Sequence, residues 1–159
     1  MTDLRTVTFE NEAFNTHQPR PYFINPGCFG DDVLEWLAKA LAARGVKVVG
    51  KPGQEDFGWY LRFEFDGNEY CFVLGYRPGD SINSHQQGEQ RGLWIGTLER
   101  SRNLLGSILG FRRLGIERSA VELLGAVLSQ MPGTTNLQWH NERDFRRGIE
   151  DRGVPNREA

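Results

Sequence analysis

The chain has 159 residues, of which 38% are hydrophobic and 25% are charged, and this composition suits one globular domain. A net charge of -2 with only two cysteines argues against a strongly basic nucleic-acid-binding protein and against a disulfide scaffold. No apolar run approaches the ~20 residues of a membrane-spanning helix, and the first residues lack the pattern of a secretory signal. We therefore expect a cytoplasmic protein.

The first third of the chain predicts a short strand, a proline-rich loop and one amphipathic helix. The strand covers residues 6–9, and the loop contains a short extended run at residues 21–24. Asp31 is predicted as the N-cap of the helix, and Gly45 is predicted to end it. Apolar residues between them follow the i, i+3, i+4, i+7 spacing of one buried face: Val33, Leu34, Leu37, Ala38 and Leu41.

Alternating apolar and polar residues then predict a strand from Val46 and an aromatic hairpin at residues 59–76. A two-residue loop near Gly67 would keep Leu61 and Phe63 on the same face as Tyr70 and its alternate neighbours. A three-residue loop would split that aromatic face. The pattern therefore predicts a loop with an even number of residues.

The next segment predicts a long loop and a strand, followed by a region whose structure the sequence does not determine. Residues 77–91 are rich in turn formers and predict a long exposed loop, and residues 92–99 predict a strand. Residues 91–118 carry six arginines and two glutamates in an otherwise acidic chain. Residues 100–117 combine a helical apolar stripe with glycines that weaken a helix, which leaves their structure open.

The last part of the chain predicts a second helix, a last strand and a tail. Ser119 and Glu122 match a capping box at the start of the helix. Leu137 and Trp139 lie on one face of the strand, and residues 141–145 predict a short helical turn. We expect one domain over residues 1–145 and a charged, flexible tail over residues 146–159.

The order of these elements favours an α+β fold with a mostly antiparallel sheet, because few strands alternate with helices. The two main helices are predicted to pack on one face of the sheet. The other face would then be partly open to a partner.

Two adjacent carboxylates precede the hairpin, and Glu55, Asp56 and Trp59 are candidates for a small pocket. Nearby carboxylates can act as an acid and a base when their surroundings separate their pKa values. Adjacent residues on an extended chain point to opposite faces, however, which favours a structural role. In that role one carboxylate accepts N–H bonds from the turn at residues 52–53, and Gly58 allows close backbone approach by the helix or a loop.

Other chemistry finds little support in the residue spacing. The three histidines and two cysteines show no metal-binding spacing, so no metal is expected. Phosphate-loop, dinucleotide and nucleophile-elbow motifs are absent, so we expect no cofactor and assign no catalytic residue. Asp80, Ser81, Ser84 and His85 are residue types of a hydrolytic triad, but such types are common in polar loops.

The hairpin sequence "KPGQEDFGWYLRFEFDGNEYCFVLG", with "LWIGTLE" and "LQWHNERDF", resembles small uncharacterised bacterial proteins built around a Glu-Asp-x-Gly-Trp hairpin. The resemblance covers roughly residues 30–145, and Glu55, Asp56, Gly58 and Trp59 carry it. Some of those proteins look like the immunity partners of bacterial toxins. The resemblance by itself assigns no function and supplies no catalytic residues.

Two functional hypotheses follow. The first is a non-catalytic domain, of the immunity type, that binds another protein; nucleic acid is disfavoured by a pI of about 5.9. Its predicted partner-binding residues are Asp80, His85, Arg100, Arg102, Arg112 and Arg113. The alternative is a small hydrolase-like enzyme in which Glu55, Asp56 and His85 converge beside Trp59.

Overall fold

The computed structural model of the protein describes residues 2–79, 92–101 and 114–156. Within these ranges, the elements in chain order are β1 (Leu4–Glu10), α1 (Asp31–Ala43), β2 (Lys47–Glu55), β3 (Gly58–Phe65), β4 (Asn68–Arg77), β5 (Leu93–Ser101), α2 (Arg118–Gln130), β6 (Thr135–Asn141), α3 (Glu142–Arg146) and β7 (Val154–Pro155).

The strands form one seven-stranded antiparallel sheet in the order β2-β3-β4-β5-β1-β6-β7. A sheet of antiparallel strands with separate helices confirms the predicted α+β class. The predicted first strand is also confirmed, and it lies inside the sheet between β5 and β6. The run at residues 21–24 was predicted as extended; this is wrong, because it forms a turn in the loop before α1.

The aromatic hairpin has the predicted even loop. Phe65 pairs with Asn68, which leaves Asp66 and Gly67 as a two-residue turn. Both turn residues have positive φ angles, 51° and 73°, as a type I′ turn requires. Phe63 therefore lies opposite Tyr70, and their stacked rings are 5.6 Å apart.

One hydrophobic cluster contains the buried residues of α1, of α2 and of the inward sheet positions. The predicted stripe of α1 is confirmed at four positions with no exposed surface: Val33, Leu34, Leu37 and Leu41. Helix α2 has one buried apolar side, which includes Ala120, Leu124 and Val127, and Met131 at its C-cap is also buried. The alternation of the strands and the periodicity of the helices thus account for the core.

Both predicted N-caps are wrong, whereas Gly45, with a φ angle of 79°, ends α1 as predicted. Helix α1 begins at Asp31, with Gly30 at the N-cap, and no side chain caps it. The Asp31 carboxylate instead accepts a hydrogen bond from the Tyr22 hydroxyl. Helix α2 begins at Arg118, one residue before the predicted cap, and the Glu122 carboxylate accepts from Arg118 across 2.9 Å.

The segment predicted as a flexible tail makes specific contacts up to residue 156. Val154 and Pro155 pair with β6, and the Asn156 N–H donates to the Leu137 carbonyl at 3.1 Å. Glu150 accepts two hydrogen bonds from the Arg77 guanidinium, at 2.8 and 3.0 Å. This segment therefore closes the β6 edge of the sheet.

Among the described residues, no helix is long and apolar enough to cross a membrane.

Candidate functional site

Most of the predicted partner-binding residues, namely Asp80, His85, Arg102, Arg112 and Arg113, lie outside the described residues. Arg100 is described, and it lies near the end of β5. Its guanidinium donates to the Asn68 side chain and, across 3.4 Å, to the Glu117 carboxylate. Arg100 therefore joins the hairpin turn to the start of α2, which gives it a structural role.

Glu55, Asp56 and Trp59 lie at the other end of the hairpin. Glu55 pairs with Gly58, so Asp56 and Phe57 form a two-residue turn. Both carboxylate residues are exposed, whereas Trp59 is buried and donates its indole N–H to the Cys28 carbonyl at 2.9 Å. The structure thus separates the predicted pocket residues into an exposed acidic turn and a core tryptophan.

Gln54 makes the polar contacts that hold this end of the hairpin. Its side-chain oxygen accepts from the Ile24 N–H at 2.6 Å, and its amide nitrogen donates to the Asn25 carbonyl at 2.8 Å. The residue is buried, so these bonds are shielded from water. Gln54 therefore fixes the loop of residues 19–30 against the hairpin.

Aromatic side chains of this loop pack against one another and against Trp59. The ring of Phe23 lies 5.2 Å from Trp59, 5.9 Å from Phe29 and 5.4 Å from Tyr22, each in an edge-to-face arrangement. Such pairs contribute about 0.5–1.5 kcal/mol each beyond the area they bury. Loop 19–30 is thus held by packing as well as by Gln54.

Three large hydrophobic side chains remain exposed around this end of the hairpin: Tyr22 at 61%, Ile24 at 73% and Phe57 at 66%. We call these three residues the hairpin-end patch. Among the described residues, the other exposed large hydrophobic is Val154, on β7 at the far edge of the sheet. Exposed apolar side chains gathered in one region are typical of an interaction surface.

Carboxylates surround the hairpin-end patch. Glu55 and Asp56 directly precede Phe57, and Asp31 and Glu35 lie close enough to act on Tyr22. The hydrogen bond to Asp31, followed by burial and the charges of both acids, raises the pKa of Tyr22 to about 12, although Arg20 opposes this. Tyr22 therefore stays a protonated donor at neutral pH.

The cysteines offer no evident nucleophile. Burial, together with the charge of Glu99, raises the pKa of the Cys71 thiol to about 11, so this thiol stays protonated. The Cys28 sulfur lies 4.0 Å from the Asp56 carbonyl oxygen, beside the patch.

Within residues 2–79, 92–101 and 114–156, no group of three potential ligands could hold a metal ion.

The sheet face opposite the core is partly covered. A cross-strand row runs from Tyr60 through Val73, Thr97 and Thr6 to His140. Its first three members are partly exposed, and its last two are buried. The opening predicted for a partner on this face is thus confined to its β3, β4 and β5 side.

His140 is a buried titratable group at the covered end of this face. Its Nε2 lies 2.7 Å from the Thr8 hydroxyl, its ring packs 5.1 Å from Phe145, and its Nδ1 has no hydrogen-bond partner. Burial lowers the pKa of His140 below its ordinary 6.5, and the nearby charge of Glu150 opposes this. Neutral His140 is therefore the form that the fold favours.

We expect acid to destabilise the protein through His140. The unfolded chain takes up this proton at about pH 6.5, whereas the folded protein resists it, so the stability contributed by neutral His140 is complete above pH 6.5. It falls as the pH decreases from 6.5 to the lowered folded pKa. Urea unfolding between pH 8 and 5 should show this loss in wild type and in the exposed-site control H17Q. An equal loss in H140Q would contradict the assignment.

Comparison of the chain with family models, with curated proteins and with solved structures finds no match. The resemblance carried by Glu55, Asp56, Gly58 and Trp59 therefore stays a prediction. Sequence reasoning missed the hairpin-end patch and Gln54. The sequence did contain one signal of the patch. Phe57 is an apolar residue between Asp56 and Gly58, at a position where a tight turn normally has a polar residue.

Proposed function

We propose that the protein is a non-catalytic domain that binds another protein through the hairpin-end patch. The observation that carries this proposal is the exposure of Tyr22, Ile24 and Phe57 around one hairpin end. Tyrosine and phenylalanine are enriched in the centres of protein interfaces, where they bury large areas with few rotatable bonds. Ile24 and Phe57 leave most of their apolar surface in water, which is unfavourable in the free protein.

The patch is held in place before a partner arrives. The Gln54 side chain hydrogen-bonds to the Ile24 N–H and to the Asn25 carbonyl, and the Trp59 indole N–H donates to the Cys28 carbonyl. Ordering a loop on binding costs affinity, so a loop that is already ordered binds more tightly for the same contacts. This arrangement supports recognition of one partner surface.

The charge around the patch favours a basic partner. Four carboxylate residues lie around the three patch residues: Asp31, Glu35, Glu55 and Asp56. Complementary charge accelerates association and disfavours acidic partners. An immunity-type protein that covers the basic cleft of a bacterial toxin has these properties, and the Glu-Asp-x-Gly-Trp resemblance is consistent with that role.

The proposal also covers the arrangement of the two main helices and the cellular location of the protein. Both main helices contribute to one hydrophobic cluster, which supports their packing on one face of the sheet. The partly exposed row at Tyr60, Val73 and Thr97 is then a further surface for the same partner. Two free cysteines suit a cytoplasmic location.

The test is affinity capture from a lysate of the source cells with three forms of the protein. The wild type and the control V154S should retain a stoichiometric basic protein, because Val154 is exposed on the opposite edge of the sheet. The double variant I24S/F57S should lose at least about 90% of it, since the few central anchor residues of an interface can each contribute about 2 kcal/mol or more.

Retention of the same partner by I24S/F57S would show that binding uses another surface. The hydrolase-like alternative makes a different prediction, because it requires Glu55 and Asp56 to act on a small molecule. An activity that disappears in E55Q or D56N while partner binding persists would favour that alternative.

A further inference from the structure

A buried carboxylate with one unused oxygen lies at the edge of the hairpin-end patch. Asp31 is only 5% exposed, and its Oδ2 accepts from the Tyr22 hydroxyl. Its Oδ1 is buried without a hydrogen-bond partner. The neighbouring Asp32 differs, because its two oxygens accept from the Asn15 and Val33 N–H groups at 2.9 and 3.0 Å.

The unused oxygen makes Asp31 unusual among the acids of α1. A buried acceptor without a donor is unfavourable, and most buried polar groups in proteins have partners. The positive end of the helix dipole offsets part of this cost, because Asp31 is the first residue of the helix. A charged donor from outside would supply the missing bond.

Tyr22 occupies one oxygen of this carboxylate and can itself hold a cation. The residue is 61% exposed, and its ring lies edge-on to Trp59 with the ring centroids 6.3 Å apart. An aromatic face attracts a guanidinium group within about 6 Å of the ring. Glu35, one helical turn after Asp31, adds a second negative charge near the ring.

We propose that Asp31 and Tyr22 form the subsite of the hairpin-end patch that receives an arginine side chain of the partner. The arginine displaces the Tyr22 hydroxyl, donates to both oxygens of Asp31 and stacks on the Tyr22 ring. This inference rests on the proposed function and adds the chemical class of the partner's anchor residue. A planar guanidinium fits the subsite because it can donate two parallel bonds to one carboxylate.

The experiment uses peptides as probes, so the natural partner is not needed. Random peptides displayed on phage are selected on the wild-type protein and counter-selected on I24S/F57S. The enriched sequences should contain arginine beside apolar residues. One such peptide is then synthesised with its arginine and, separately, with citrulline, which keeps the shape but removes the charge.

Calorimetric titration should give about tenfold weaker binding for the citrulline peptide and for D31N, as expected for loss of a charge-assisted pair. D31N should no longer distinguish the two peptides. The matched control D3N removes an exposed carboxylate just before β1 and should behave as wild type. If D31N does not fold, Y22F replaces it, and loss of the competing hydroxyl should tighten the arginine peptide about threefold.

Several results would overturn the inference, and they differ in what they say about the proposed function. Patch-dependent peptides that lack arginine, or that bind D31N as tightly as wild type, would remove the arginine subsite and keep the protein-binding patch. Unchanged or weaker binding to Y22F would also remove it. Selection of no peptide that depends on Ile24 and Phe57 would remove both.

Discussion

Replacing Gly58 with alanine is expected to lower the free energy of unfolding by about 2–4 kcal/mol. Gly58 has a φ angle of 145°, which side-chain-bearing residues rarely adopt. A Cβ at this position would lie 2.6 Å from the Leu74 carbonyl oxygen of β4. Because that oxygen belongs to the backbone of a central strand, it cannot move without disturbing the sheet.

A matched control separates the two parts of this cost. Gly67 also has a positive φ angle, 73°, but a Cβ there would meet nothing within 4 Å. G67A should therefore lose only the conformational part, about 1 kcal/mol. Urea unfolding of both variants measures the difference. Equal losses in G58A and G67A would show that the contact with Leu74 has no energetic effect.

The same close approach explains how a turn can hold Phe57 outward. Gly58 brings the start of β3 against β4, so the following Trp59 enters the core and the preceding turn projects beyond the sheet. A bulkier residue would push this turn away from β4. The predicted close backbone approach at Gly58 is confirmed, but its predicted partner, the helix or a loop, is wrong, because the contact is with strand β4.

Local pattern was sufficient where neighbouring residues determine the structure. The type I′ turn at Asp66 and Gly67 follows from strand alternation, and the buried stripe of α1 follows from helical periodicity. The position of β1 between β5 and β6 could not be predicted in this way. It depends on pairing between residues about 90 and 130 positions apart, for which sequence alone carries no signal.

The candidate site was less predictable than the fold. Tyr22 and Ile24 lie in a proline-rich loop, where exposure depends on how the loop folds back onto the hairpin. The start of α1 illustrates the same limit. Aspartate is a favoured N-cap residue, but the Asp31 carboxylate accepts a hydrogen bond from the Tyr22 hydroxyl instead. A local propensity fails when a tertiary contact offers the same side chain a better partner.

Replacing Gln54 with alanine should lower the free energy of unfolding by about 2–3 kcal/mol and loosen the loop of residues 19–30. The change removes a buried amide that bonds the Ile24 N–H and the Asn25 carbonyl. Both backbone groups would lose their partners. Hydrogen exchange should show faster exchange at the Ile24 amide than the global loss of stability explains.

The control for this variant is Q130A, which removes an exposed amide that accepts from Arg44 at 2.7 Å. It should cost no more than about 0.5 kcal/mol, because water replaces an exposed bond. If the hairpin-end patch works as a preformed surface, Q54A should also bind patch-dependent peptides about tenfold more weakly, since the loop must then be ordered on binding. Unchanged affinity in a loosened Q54A would mean that the exposed side chains bind without the framework that holds them.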